Sequence, residues 1–86
     1  MPLKVSLVSA DAEVWSGEAS LVVAKTILGE IGFMPGHEPV LAILAEGQVR
    51  ITETSGGKVI ANAQDGFLSV EGDEVMIVAG NAALVA

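Results

Sequence analysis

The chain contains no cysteine, no tyrosine, a single histidine and four basic residues. Each shortage closes off a class of function. Without Cys there is neither a disulfide staple nor a thiolate metal site. One histidine, His37, cannot make a nitrogen-rich zinc site within one chain. Lys4, Lys25, Arg50 and Lys58 are scattered, and eleven acids bring the net charge to −7. Phosphate neutralisation needs clustered cations, so the composition argues against nucleic acid and against direct adsorption to an anionic membrane. The acidity serves solubility first, and a basic partner surface second. No apolar run approaches the length that crosses a bilayer. Met1-Pro2-Leu3-Lys4 does not open a signal peptide. The expectation is a soluble protein that stays in the compartment where it is made. Aromatics are limited to Trp15, Phe33 and Phe67, while 51% of residues are apolar. The core is therefore aliphatic. A single domain spanning 1–86 buries roughly 60 to 65% of its unfolded surface.

Turn signals punctuate the chain at the spacing of an all-β sandwich or barrel. They fall at Ala10-Asp11, Ser16-Gly17, Gly29, Pro35-Gly36, Glu46-Gly47, Ser55-Gly56-Gly57, Asp65-Gly66, Glu71-Gly72-Asp73 and Gly80-Asn81. Between them run short apolar and β-branched segments. Leu3, Val5 and Leu7 alternate with Lys4 and Ser6, and Val49 and Ile51 with Gln48, Arg50 and Thr52. A period of two marks strands with one wet face. Thr54-Ser55-Gly56-Gly57-Lys58 predicts a hairpin between strands Gln48–Glu53 and Val59–Gln64, and Asp65-Gly66 predicts a turn into a strand Phe67–Val70. Leu21–Ala24 and Val75–Ala79 are apolar on both faces, as central strands or strands with one face on a partner are. Val40–Ala45 suits a strand or a helical turn. Asn81–Ala86 reads as a last edge strand.

The densest stretch is Gly29-Glu30-Ile31-Gly32-Phe33-Met34-Pro35-Gly36-His37-Glu38-Pro39. So much Gly and Pro cannot be an ordinary helix or central strand. It predicts a shaped loop around a short strand, Ile31–Met34, with Glu30 on the loop before it and His37 after it. Four residues span about 13 Å, so the two polar groups bracket a compact patch. Glu30, His37 and Glu38 together suggest a general base oriented by a carboxylate. The plainer account is a turn histidine whose ring bonds the backbone. No Ser sits in a Gly-x-Ser-x-Gly elbow. Gly56-Gly57-Lys58 lacks the upstream glycine of a phosphate loop. Asp65, Glu71, Asp73 and Glu74 lack calcium-loop spacing and read as solvated turn residues. Trp15 reads as a core or half-buried anchor. These features point away from an enzyme, a cofactor or a metal, and toward specific contact carried by a rigid loop.

Two binding modules fit. One is a small acidic carrier domain of the lipoyl or biotinyl kind, which presents a modified Lys at a hairpin tip in a Met-Lys or Asp-Lys context. Lys25, in Val-Val-Ala-Lys-Thr, and Lys58, in Gly-Gly-Lys-Val, do not match that context. The other rests on resemblance. The Gly29–Pro39 stretch, together with Leu7-Val8-Ser9-Ala10-Asp11, Val14-Trp15-Ser16-Gly17 and Asp65-Gly66-Phe67-Leu68-Ser69-Val70, resembles the ATP synthase epsilon subunit of bacteria and chloroplasts, in order and spacing over essentially the whole chain.

That resemblance implies a flattened sandwich of about ten short strands in two sheets. It implies a non-catalytic rotor subunit without its own active site, cofactor or metal. Its partners would be the gamma (stalk) subunit and the loops of the membrane rotor ring (c-ring). It would sit as a peripheral subunit on the cytoplasmic face of the bacterial membrane, or on the stromal face of the thylakoid. The isolated subunit would be a monomer. By resemblance Glu30 approaches the ring, while His37, Ser9 and Ala42 lie by the stalk. Family members usually continue into two helices that regulate ATP hydrolysis. This sequence ends where they would begin, and Gly80–Ala86 is neutral where the family tends to be acidic.

The chain alone should give a far-ultraviolet circular dichroism spectrum of β type and elute as a monomer. A helix-dominated spectrum would point to Val40–Ala45 as part of a longer helix and overturn the all-β assignment.

Overall fold

The computed structural model describes residues 2–10 and 12–85. Within them the chain is all-β: β1 (Leu3–Val8), β2 (Glu13–Thr26), β3 (Gly29–Phe33), β4 (Val40–Glu53), β5 (Lys58–Glu71) and β6 (Glu74–Leu84). The strand order is β1-β6-β5-β4-β2-β3, and β1 also pairs with β2, which closes the sheet on itself. All pairings are antiparallel except β1 with β6. The result is a closed, barrel-like sandwich of six strands.

Three strands are 14 residues long, and these account for turn signals that do not become turns. In β5 the buried positions are Val59, Ala61 and Ala63, then Leu68 and Val70, so inward-facing parity switches partway. The switch lies at Asp65, whose φ is 60°; Asp65 and Gly80 opposite it both drop out of the pairing, and the register is the same on either side. The left-handed residue bends the strand without an extra residue, whereas register shifts that mark β-bulges lie in the β2–β4 pairing, at Ala19/Leu21 and Ala24/Thr26. The parity also switches in β2 between Ala19 and Val22, and in β4 between Leu44 and Val49. The expected turn at Asp65-Gly66 is thus a bend within β5. Glu46-Gly47 and Ser16-Gly17 likewise lie inside β4 and β2. Six strands stand where about ten were expected, because a bend within a strand and a turn draw on the same residues.

Other expectations hold more closely. The Thr54–Lys58 hairpin joins β4 to β5, with Glu53 N–H and Gly57 O bonded at 2.8 Å. Val40–Ala45 is strand, not helix. β6 runs to Leu84, and the rest of the expected edge strand ends at Ala86, outside the described residues. The short strand is Gly29–Phe33, not Ile31–Met34, which puts Glu30 on a strand instead of a loop.

The core is aliphatic: Leu3, Leu7, Val22, Val49, Ile51, Leu68, Val70, Val75 and Ile77 are fully buried around one aromatic, Phe33. Trp15 is half-buried against it. Among the described residues the one buried polar side chain is Thr26, whose Oγ1 donates to Gly29 O at 2.8 Å and accepts from Leu28 N–H at 3.1 Å. That bonding closes the tight β2–β3 turn and satisfies a group that would otherwise be costly to bury.

Backbone crowding at the β5 bend gives a direct test. A Cβ at Gly66 would lie 1.8 Å from Val78 O and 2.6 Å from Ala79 Cα, whereas at Gly32 the nearest heavy atom is 3.7 Å away. Gly66→Ala should destabilise by about 3 kcal/mol or more in denaturant titration, and Gly32→Ala by less than about 1 kcal/mol. Equal effects would contradict this account of the bend.

Candidate partner-binding site

Strand pairing sorts the outward side chains into two unlike faces. On the first, across β4, β5, β6 and β1, Ile43 pairs with Phe67, Phe67 with Val78, and Val78 with Val8. The next row is Leu41, Ser69, Met76 and Ser6. Leu41 is 77% exposed, Ile43 57%, Met76 50% and Phe67 41%. The β2–β3 turn adds exposed Ile27 and Leu28 beside Ile43, with Ile27 N–H bonded to Ile43 O at 3.0 Å. A contiguous apolar face on a small domain marks an interaction site. No short motif announces it. The signal in the sequence was apolar residues at both parities of Val40–Ala45 and Val75–Ala79.

The second face lies across β3, β2, β4 and β5. Its outward residues include Leu21, Val23, Lys25, Glu30, Arg50, Thr52, Lys58 and Ile60. Three of the chain's four bases stand here. Arg50 Nη2 donates to Glu30 Oε1 at 2.7 Å, with both side chains about half exposed. A pair this exposed is worth at most about 1 kcal/mol. A shallow groove of about 310 Å³ runs between Leu21, Val23, Arg50 and Ile60.

The four residues singled out from the sequence do not converge. Glu30 lies on the second face. His37 lies in the loop between β3 and β4, where its N–H bonds Met34 O at 3.2 Å. Its ring meets Phe33 edge-on, with centroids 5.0 Å apart. Nδ1 is 2.8 Å from Glu38 O, and since a carbonyl only accepts, Nδ1 carries the proton there. The histidine is therefore held by the backbone, as the plainer account expected, and no bond joins it to Glu30 or to the Glu38 carboxylate. Gly36, with φ 86°, donates its N–H to Asp73 Oδ1 at 2.7 Å, tying this loop to the β5–β6 turn. Ser9 follows the end of β1 at Val8, and its N–H and Oγ both donate to Ala12 O, at 2.9 and 3.3 Å. Ala42 is half-buried and packs inward on the core, so the exposed surface at that point belongs to Leu41 and Ile43. Ser9, His37 and Ala42 all border the first face.

A larger open hollow of about 430 Å³, near Glu46, Asn62, Gln64 and Asn81, holds no nucleophile with a base. Among the described residues no three His, Asp or Glu side chains gather as a metal site.

Comparison with known proteins gives a consistent result. The family model described as "ATP synthase, Delta/Epsilon chain, beta-sandwich domain" matches residues 2–85. The ATP synthase epsilon chain of Micrococcus luteus is 50% identical over 82 residues, covering 95% of this chain and 90% of that one. That of Streptomyces griseus is 52% identical over 77 residues, covering 90% and 62%. That of Frankia casuarinae is 44% identical over 84 residues, covering 98% and 99%. A chain in the Euglena gracilis mitochondrial ATP synthase structure (OSCP/F1/c-ring) superposes with a TM-score of 0.90 at 24% identity, over 96% of this chain and 53% of that one. At that identity the likeness speaks for the fold. The family match over nearly the whole chain, with relatives near half identical, shows that the chain belongs to the ATP synthase delta/epsilon chain β-sandwich family.

Proposed function

We propose that the chain is the non-catalytic epsilon-type rotor subunit of a proton-translocating ATP synthase. In this reading it is peripheral on the cytoplasmic face of the membrane and monomeric when isolated. It joins the gamma (stalk) subunit to the c-ring loops, so that torque from ion flow reaches the catalytic head without slip. Its work is contact, so shape and complementary polarity carry it. The observation that carries the reading is the apolar face of Val8, Leu41, Ile43, Phe67, Met76 and Val78, bordered by Ser9, His37 and Ala42. We assign that face to the stalk, and Glu30, on the other face, to the ring. The two-sheet description of about ten short strands belongs to the same reading. It is supported by counting β2, β4 and β5 on either side of their bends, and β6 on either side of Gly80, where its inward parity switches from Ala79 to Ala82. The carrier-domain alternative is not favoured: Lys25 lies within β2 and Lys58 begins β5, so neither stands on a hairpin tip.

A charge placed on the apolar face should break the stalk contact without unfolding the chain. Phe67→Glu and Met76→Glu should weaken binding to the gamma subunit by tenfold or more, as measured by calorimetry. Asn62→Glu adds the same charge at an exposed position off that face and should change binding less than threefold. Equal losses from all three would remove the face from the interface.

At the ring, Glu30→Ala should reduce protons pumped per ATP hydrolysed only slightly in reassembled enzyme. Glu30→Lys should do more, because it adds repulsion to a lost attraction. Arg50→Gln controls for the internal pair. If reversal at Glu30 leaves coupling intact while reversal at Glu53 or Glu71 destroys it, the ring contact lies elsewhere.

A further inference from the structure

Asp73 stands in the tight turn between β5 and β6, 37 residues in sequence from the loop it touches. Its backbone has φ 61°, a left-handed conformation that Asp tolerates better than most residues. Its carbonyl accepts Lys4 N–H at 2.8 Å, and its carboxylate Oδ1 accepts Gly36 N–H at 2.7 Å. The backbone conformation aims the side chain at the neighbouring loop. Charge-assisted bonds of this length are among the stronger kind.

The loop has little else to hold it. Met34, Pro35, Gly36, Glu38 and Pro39 are exposed. One backbone bond closes the loop, His37 N–H to Met34 O at 3.2 Å. Among the described residues, the Asp73 carboxylate is the one side chain from outside the loop that bonds into it. The Gly36 N–H belongs to the Pro35–Gly36 peptide, so the bond fixes the residue that immediately precedes the histidine.

We propose that Asp73 is a positioning residue for the stalk contact: its carboxylate clamps the Met34–His37 turn so that His37 meets the stalk subunit already ordered. This rests on the stalk-linking reading above. Binding by a pre-ordered loop avoids the entropy of ordering it at the interface. The neighbours Glu71 and Glu74 carry the same charge but make no bond to the loop, which separates the acceptor from the charge.

Two substitutions divide the side chain's role from the backbone's. Asp73→Gly keeps the left-handed conformation without strain and removes the acceptor. Asp73→Asn keeps an acceptor oxygen and tolerance of that conformation but removes the charge. The measurements are amide hydrogen exchange at Gly36, the His37 ring proton resonances, the melting temperature, and calorimetric binding of the gamma subunit to the full 86-residue chain. Asp73→Gly should speed Gly36 exchange about tenfold, shift the His37 ring signals and weaken gamma binding about three- to tenfold, with melting little changed. Asp73→Asn keeps a weaker, neutral bond and should fall between the parent chain and Asp73→Gly, while Glu74→Gln should stay within about twofold of the parent chain in binding. Parent-like exchange and binding in Asp73→Gly would overturn the proposal. So would a loss in Glu74→Gln as large as in Asp73→Gly, which would assign the effect to net charge. If the parent chain itself does not bind the gamma subunit, the stalk-linking reading fails, and with it the clamp's role at the interface. Exchange at Gly36 would then show separately whether Asp73 orders the loop.

Discussion

Closure of the sheet is the constraint on which the rest of this structure depends. Six strands close only because β1 pairs with β6 on one edge and β2 on the other. To wrap that way, the long strands must bend and still keep one set of side chains inside. A bulge does both in the β2–β4 pairing, since one extra residue turns the strand and resets its alternation. In β5 the bend comes without an extra residue, at Asp65 with its positive φ and the close approach of Gly66 to the backbone at Val78. Straight strands of the same composition would turn apolar side chains outward beyond each bend and leave a flat sheet with open edges.

The same geometry makes the two outer faces different. With Val22, Val49, Ile51, Leu68, Val75 and Ile77 filling the interior, the remaining apolar residues of β4, β5 and β6 have nowhere to go but out. They collect over one half of the closed sheet, while Lys25, Arg50 and Lys58 collect over the other. On the function proposed above, a subunit that grips one partner and meets another needs two unlike surfaces. A small barrel of bent strands supplies them without a second domain. The loop carrying His37 sits at the rim of the apolar half, where Gly36 is tied to the opposite turn by Asp73.

Fold class was legible in the sequence because turn residues and period-two runs are local signals. The Thr54–Lys58 hairpin and the alternation of β1 needed nothing else. Strand number was not legible, because Asp-Gly marks a bend within a strand as readily as a turn, and only the partner strands distinguish them. The bond between Asp73 and Gly36 was invisible for a related reason: it joins residues that only the closed sheet brings together. The partner roles of Glu30, His37, Ser9 and Ala42 came from family resemblance; the dense Gly-Pro stretch had marked Glu30 and His37, but no physical pattern marked Ser9 or Ala42. Three of them edge the apolar face, yet its most exposed strand residues, Leu41 and Ile43, were hidden in a run that could pass for a helical turn. The Arg50–Glu30 pair spans 20 residues across β2 and left no sequence signature.

The central claim is that the apolar half of the closed sheet, with the His37 loop at its rim, is the surface that grips the stalk. An amide chemical-shift map of the isotopically labelled chain, recorded as gamma subunit is added, addresses it most directly. The account predicts that shifts and line broadening concentrate at Val8, Gly36, His37, Ile43, Phe67, Met76 and Val78, and leave Lys25, Arg50 and Ile60 unmoved. Changes centred on Lys25, Arg50 and Ile60, with the Phe67 row undisturbed, would contradict it.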